Sequence, residues 1–193
     1  IGETELAQKA MEGVAALQRE NGMVPAYRDV NWVCSTGLFQ FALVWYKLGE
    51  LEKGNKAFRY ACSLQNASGG WYGGYATKAN AGVLEEKEYA TYFPDGEISW
   101  AVKYFLDALS AKCRLEFERQ APSFFDSIAK TDGRYQAVLA EIGETVETVC
   151  DVGCGKGNYL RNLLEDTAAG KIRFFCTDIS WQVMRKVPEQ VEK

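Results

Sequence analysis

The fold is decided by one short stretch, Asp151-Val152-Gly153-Cys154-Gly155-Lys156-Gly157. The residues before it, 145–152, are mostly β-branched and predict a buried strand, and residues 158–166 have helical spacing. Three glycines in five residues, placed between a strand and a helix, let the backbone approach a ligand closely. The stretch therefore predicts a ligand-binding turn at the start of an α/β sheet.

The sequence on both sides extends this prediction. Residues 125–142 are compatible with a helix, and a turn at Ala169-Gly170 leads to a second predicted strand over 171–177 and a helix from Ser180 onward. The order strand, helix, strand, helix is typical of a parallel sheet. We expect residues 121–193 to form the first βαβα part of a Rossmann-like domain, with its remaining strands beyond residue 193.

Two common glycine-turn cofactor sites are disfavoured by spacing. The dinucleotide pattern GxGxxG needs its third glycine at position 158, where the chain has Asn158. The triphosphate pattern GxxxxGK[ST] needs glycine at Cys150 and serine or threonine at Gly157. The turn is therefore expected to bind neither NAD nor a nucleoside triphosphate.

The remaining pattern, DxGCGxG followed by Leu160 and Leu163, resembles motif I of class I S-adenosylmethionine (SAM) dependent methyltransferases. The resemblance extends from about Phe124 to residue 193 and implies SAM as the cofactor. It implies that the loop of Gly153, Cys154, Gly155 and Gly157 lies against the methionine part of SAM. It also implies that Asp151 interacts with the SAM ammonium group, directly or through water.

A carboxylate ends the second predicted strand. Asp178 follows Gly157 by 21 residues, where a nucleotide-binding sheet places an acceptor for the ribose hydroxyls. We expect Asp178 to bind the ribose and Ile179 to neighbour the adenine; the alternative for Asp178 is an N-cap of the next helix.

Upstream, the segment that begins Phe124-Phe125 resembles the part before motif I in several small-molecule methyltransferases, where an aromatic side chain covers the cofactor. Tyr135 or Arg134 is predicted to reach the methionine carboxylate, and a surface turn at Gly133 explains the same residues equally well. In this family the catalytic residues usually follow strand four and later strands. No catalytic residue is therefore assigned, and the methyl acceptor is expected to be a small molecule or a glycan.

Residues 1–120 have a different periodicity and predict an α-helical domain, so that the fold class is α plus α/β. Helices are expected at about 3–21, 35–49, 51–67 and 97–119. Two segments 47 residues apart are alike, with Gln18 before Gly22 and Gln65 before Gly69. This echo indicates repeated helical hairpins.

The second copy continues to Trp71 and resembles the QxxxGxW motif of the α/α-toroid proteins, the terpene cyclase and prenyltransferase-like families; the first copy has Val24 in place of the tryptophan. A structural role is favoured for Gln65, Gly69 and Trp71, because such residues can close a helix end and pack across the turn.

Aromatic residues and two carboxylates follow this motif in Tyr72, Tyr75, Tyr89, Tyr92, Phe93, Asp95, Glu97 and Trp100. They suit a sugar or another polyol, and they suit equally the packed end of a helical barrel in which Asp95 caps a helix. A carbohydrate-binding or carbohydrate-processing toroid with a non-catalytic Rossmann-like appendage is the alternative function. The helical domain is otherwise expected to hold the acceptor or to position the methyltransferase on a partner.

Composition excludes several classes of site. The net charge is −4 and the basic residues are scattered, so nucleic acid is not the expected partner. The longest apolar stretch, 37–46, is too short for a membrane span, and a cytoplasmic location is expected. The six cysteines lack CxxC spacing and there is no histidine, so we expect no disulfide scaffold, no metal site and no Ser-His or Cys-His pair.

Overall fold

The computed structural model describes residues 3–76, 89–167 and 171–193, so the turn predicted at Ala169-Gly170 lies outside the described residues. The chain divides into two compact units, Ile1–Leu115 and Glu116–Lys193. Each unit has a hydrophobic core of its own. Within these described residues, helices are combined with two small sheets, one in each unit.

The first unit is built on helices that are shorter than expected at four of their ends. Its elements are α1 (Glu3–Ala15), β1 (Trp32–Cys34), α2 (Ser35–Lys47), α3 (Leu51–Ser63), β2 (Gly74–Ala76) and α4 (Ser99–Gln120), whose last residues belong to the second unit. Strands β1 and β2 are antiparallel and place Val33 opposite Tyr75. The sequence pattern did not predict this pair, because three-residue strands carry too little periodicity.

The turns after α1 and α3 have the same backbone geometry. Gly22 and Gly69 have φ angles of +93° and +92°. The same hydrogen bond closes both turns, from Arg19 N to Met23 O at 2.8 Å and from Asn66 N to Gly70 O at 2.9 Å. The glutamines differ in partner, since Gln18 Nε2 donates to Lys53 O and Gln65 Nε2 donates to Gly69 O. The sequence echo thus corresponds to a repeated turn.

Trp71 is a core residue of the first unit. Its side chain is buried, and its Nε1 donates to Ala61 O at 2.8 Å. The ring packs on Phe39 and Phe105, with centroids 5.1 and 5.2 Å away. A buried indole with its N–H satisfied stabilises the core through its large apolar area.

The second unit contains a 3₁₀ turn (Ala121–Ser123), α5 (Gly133–Glu141), β3 (Thr148–Val152), α6 (Asn158–Asp166), β4 (Arg173–Thr177) and α7 (Trp181–Met184). Strands β3 and β4 are parallel, with Cys150 opposite Phe175. The helix predicted from Ser180 onward has only four residues. Pro188 follows it closely, and proline disfavours helical geometry in the residue before it.

The chain beyond α7 returns to the sheet. Glu192 N donates to Phe174 O at 2.9 Å, and Cys176 N donates to Glu192 O at 2.8 Å, which forms a parallel bridge. These groups lie on the edge of β4 that faces away from β3, since Arg173 N donates to Glu147 O on the other edge. Strand β4 therefore lies between β3 and the segment at Glu192, and all three run parallel.

Among the helices of the described residues, none has both the length and the apolar character needed to cross a membrane.

Candidate ligand-binding site

The glycine loop between β3 and α6 has a left-handed backbone at three positions. The φ angles are +78° at Gly153, +55° at Gly155 and +74° at Gly157. Residues other than glycine are strained at such positive φ angles. Thr177 O at the end of β4 accepts from Gly153 N at 2.8 Å and from Cys154 N at 3.2 Å. The loop is thus attached to the neighbouring strand.

The three glycines differ in what surrounds them. No atom lies within 4 Å of a Cβ added at Gly153 or Gly155, whereas a Cβ at Gly157 would lie 3.1 Å from Val187 Cγ2. Packing and the α6 N-terminus therefore account for Gly157. Gly153 and Gly155 border open space, where a ligand can approach the backbone.

Asp178 connects the loop to the end of β4. Its Oδ2 accepts from Gly155 N and its Oδ1 accepts from Ser180 N, both at 2.9 Å. The N-cap of α7 is Ser180, whose Oγ accepts from Val183 N. Asp178 therefore does not cap α7 itself. Each carboxylate oxygen retains acceptor capacity for a further donor.

Asp151 has no salt-bridge partner among the described residues. Its Oδ2 is buried and accepts no hydrogen bond from them. Burial, and after it the negative charge of Asp178, raise the pKa of Asp151 above its ordinary value. A positively charged ligand group would relieve both effects, because it supplies a donor and an opposite charge.

A pocket of about 810 Å³ opens above this edge of the sheet. It is lined by the ends of both strands, the loop, the start of α6 and an aromatic segment: Phe117, Ser123, Phe124, Phe125, Asp151, Val152, Gly153, Cys154, Gly155, Lys156, Asn158, Tyr159, Thr177, Asp178 and Ile179. Phe125 and Val152 are 84% and 78% exposed. Large exposed apolar side chains beside a pocket are typical of a ligand-binding surface.

Sequence reasoning missed the role of Lys156. Its side chain is buried, and its Nζ donates to Phe124 O at 2.6 Å and to Asp126 Oδ1 at 2.7 Å. This contact lowers the pKa of Asp126. Asn158 Nδ2 also donates to Phe125 O at 2.9 Å. The loop thus holds the aromatic segment at the pocket, through partners 30 residues away that no local pattern reveals.

Tyr135 is not among the residues that line the pocket. It is fully buried, and its hydroxyl donates to Asp166 Oδ2 at 2.6 Å. Burial, and next this hydrogen bond, raise the pKa of Tyr135 to about 12. Arg134 pairs with Asp132, the N-cap of α5, at 2.8 Å. In the structure both residues therefore have structural partners rather than positions at the site.

Six of the predicted cofactor residues line the same pocket, the one at the glycine loop: Asp151, Gly153, Cys154, Gly155, Asp178 and Ile179. Cys154 is buried, and burial, followed by the neighbouring Cys176, raises the pKa of its thiol. A raised pKa keeps the thiol protonated, which disfavours a nucleophilic role. Within the described residues, no cluster of three or more metal-ligating side chains occurs.

Comparisons with known proteins add no relative: no family model, no curated protein and no solved structure matches this chain.

Proposed function

We propose that this chain carries the SAM-binding part of a class I SAM-dependent methyltransferase that acts on a small-molecule or glycan acceptor. The observation that carries the proposal is the buried Asp151 oxygen without a partner, beside a glycine loop that Asp178 holds in place. Three features of the site match three parts of SAM. The loop with exposed backbone suits the methionine part, the uncompensated carboxylate of Asp151 suits the ammonium group, and the carboxylate of Asp178 at the next strand end suits the ribose hydroxyls.

Each part of SAM has a candidate residue in the pocket. Asp151 would hold the ammonium group, because its carboxylate lacks a cation. Asp178 would accept from the ribose hydroxyls with its remaining lone pairs. Ile179, which is 44% exposed, supplies an apolar surface for the adenine. Gly153 and Gly155 leave room for the methionine part.

SAM, when bound, supplies an electrophilic methyl group on a sulfonium. The chain's own contribution is to orient and to exclude water. Phe124 and Phe125, which Lys156 and Asn158 fix at the pocket, supply apolar cover on one side. A base for the acceptor is not assigned to any described residue.

The test is isothermal titration of SAM and of S-adenosylhomocysteine into the chain and into Asp178→Ala. We expect saturable binding that the substitution weakens at least about tenfold, because charge-assisted hydrogen bonds contribute about 1.5–3 kcal/mol each. Glu144→Ala, which removes an exposed carboxylate of the same unit, is the matched control and should bind as the parent does.

Asp178 also accepts from Gly155 N and Ser180 N, so the thermal midpoint Tm of each variant must be measured alongside. Lost binding with a retained Tm supports the proposal. A folded chain that binds neither compound, or an Asp178→Ala variant that binds both unchanged, contradicts it.

A further inference from the structure

The first unit has a pocket of its own, of about 510 Å³, at the N-terminal end of α2. Six of its lining residues are aromatic, namely Tyr27, Trp32, Phe41, Tyr92, Trp100 and Tyr104, and the others are Val24, Pro25, Ala26, Cys34, Thr36, Gly37 and Gln40. Its volume lies in the range of small-ligand sites. The glycine-loop site contributes none of these residues.

Thr36 is the residue of this pocket whose polar group is not satisfied. Its side chain is buried, and its Oγ1 has no hydrogen-bond partner among the residues that the structure describes. A buried hydroxyl without a partner destabilises the folded state, because it loses its hydrogen bonds with water. A ligand in the pocket with a hydrogen-bond donor or acceptor would supply the missing partner.

The pocket lining is neutral among the described residues, since it includes no Asp, Glu, Lys or Arg. The carboxylates that the sequence grouped with the aromatics lie elsewhere. Glu97 accepts from Asn66 Nδ2 at 2.9 Å and from Ser68, and these hydrogen bonds lower its pKa. A charged ligand would lose its hydration in this pocket without gaining a counter-charge from the described lining residues.

Aromatic rings and neutral polar groups occur here together. Trp100 is 40% exposed, and its Nε1 donates to Tyr92 Oη at 3.1 Å, which fixes the indole in place. Tyr27 and Trp32 pack edge to face, with centroids 5.6 Å apart. Rings fixed in this way present faces to C–H groups, while hydroxyl groups beside them can exchange hydrogen bonds.

We propose that this pocket binds a neutral sugar unit, whose C–H faces lie on the aromatic rings and whose hydroxyls pair with Thr36 and Gln40. An isoprenoid chain would fill the apolar walls but leave the Thr36 hydroxyl without a partner. A phosphorylated or carboxylated sugar would bring a charge that the described lining residues do not neutralise. The inference does not depend on the proposed methyltransferase function.

The test is a titration of the full chain with four neutral disaccharides: maltose, cellobiose, lactose and chitobiose. Binding is measured by tryptophan fluorescence and by saturation-transfer NMR. Farnesol and glucuronic acid are the apolar and charged comparison probes. We expect at least one disaccharide to bind saturably and more tightly than either comparison probe. Trp100→Ala should weaken binding at least about tenfold, because one stacked ring supplies much of the contact.

Thr36→Val separates a ligand role from a packing role, because valine keeps the shape of the side chain and removes the hydroxyl. We expect sugar affinity to fall about fivefold, the value of one hydrogen bond, while Tm stays equal or rises. Trp181→Ala, which removes an exposed indole in the second unit, is the control and should change neither value. The proposal is overturned if no disaccharide binds, if farnesol or glucuronic acid binds more tightly, or if Thr36→Val binds the sugar unchanged.

Discussion

At the residue scale, Asp151 gives the candidate cofactor site a pH dependence. Burial, and next the charge of Asp178, raise its folded-state pKa above the ordinary value of 3.8. A raised pKa means that the folded state favours the protonated form, so the contribution of Asp151 to stability is fully present below pH 3.8. That contribution is lost as the pH rises through the raised pKa.

Asp151→Asn is therefore expected to be more stable than the parent at pH 7, by about 1 kcal/mol, since the amide carries no charge to desolvate. The difference should disappear near pH 3. Urea unfolding at both pH values measures it, with the exposed neighbour Glu147→Gln as control. A variant that is less stable than the parent at pH 7 would show that the Asp151 carboxylate has a partner in the folded chain.

Gly22 and Gly69 have nearly the same φ angle but lie in different surroundings. A Cβ at Gly22 would overlap the backbone carbonyl of Lys56, whereas a Cβ at Gly69 would meet no atom within 4 Å. Gly69→Ala should cost about 1–2 kcal/mol for the backbone conformation alone. Gly22→Ala should cost about 1–3 kcal/mol more, because the carbonyl must move. Equal losses in urea unfolding would mean that the Lys56 segment shifts freely.

At the scale of elements, the two edges of β4 can be distinguished by amide exchange. Deletion of residues 192–193 removes the acceptor of Cys176 N and leaves the hydrogen bond from Arg173 N to Glu147 O intact. Hydrogen exchange should therefore become at least about tenfold faster at Cys176 and remain unchanged at Arg173, because local opening sets exchange rates. Equal acceleration at both amides would instead report a general loosening of the unit.

Elements with strong local signals were predictable, and contacts between distant residues were not. The helix expected at residues 158–166 is observed with those bounds, since a left-handed glycine begins it and its apolar spacing is clear. The pairing of β1 with β2 joins residues 42 positions apart and has no local signature. For the same reason the sequence suggested Tyr135 for the site, while its Asp166 contact stayed hidden. The loop was predictable because its left-handed backbone conformation requires glycine, which is a local property of the sequence.

At the scale of the whole molecule, each unit has its own core and its own candidate site. Among the described residues, those that line the glycine-loop pocket lie between Phe117 and Ile179, and those that line the aromatic pocket lie between Val24 and Tyr104. The unit boundary, at Leu115 and Glu116, separates these two sets along the chain. Substitutions can therefore be chosen that alter one pocket lining and leave every residue of the other unchanged.

The two proposals consequently make separable predictions for one protein sample. Trp100→Ala should weaken disaccharide binding at least about tenfold and leave SAM affinity within about twofold of the parent, while Asp178→Ala should do the reverse, because sites with no shared residues usually behave additively. Both titrations are carried out on each variant, with Tm measured alongside. If Trp100→Ala lowers both affinities at unchanged Tm, the two sites are thermodynamically coupled. Saturating disaccharide should then raise SAM affinity by the same factor as SAM raises disaccharide affinity, since coupling free energy is reciprocal.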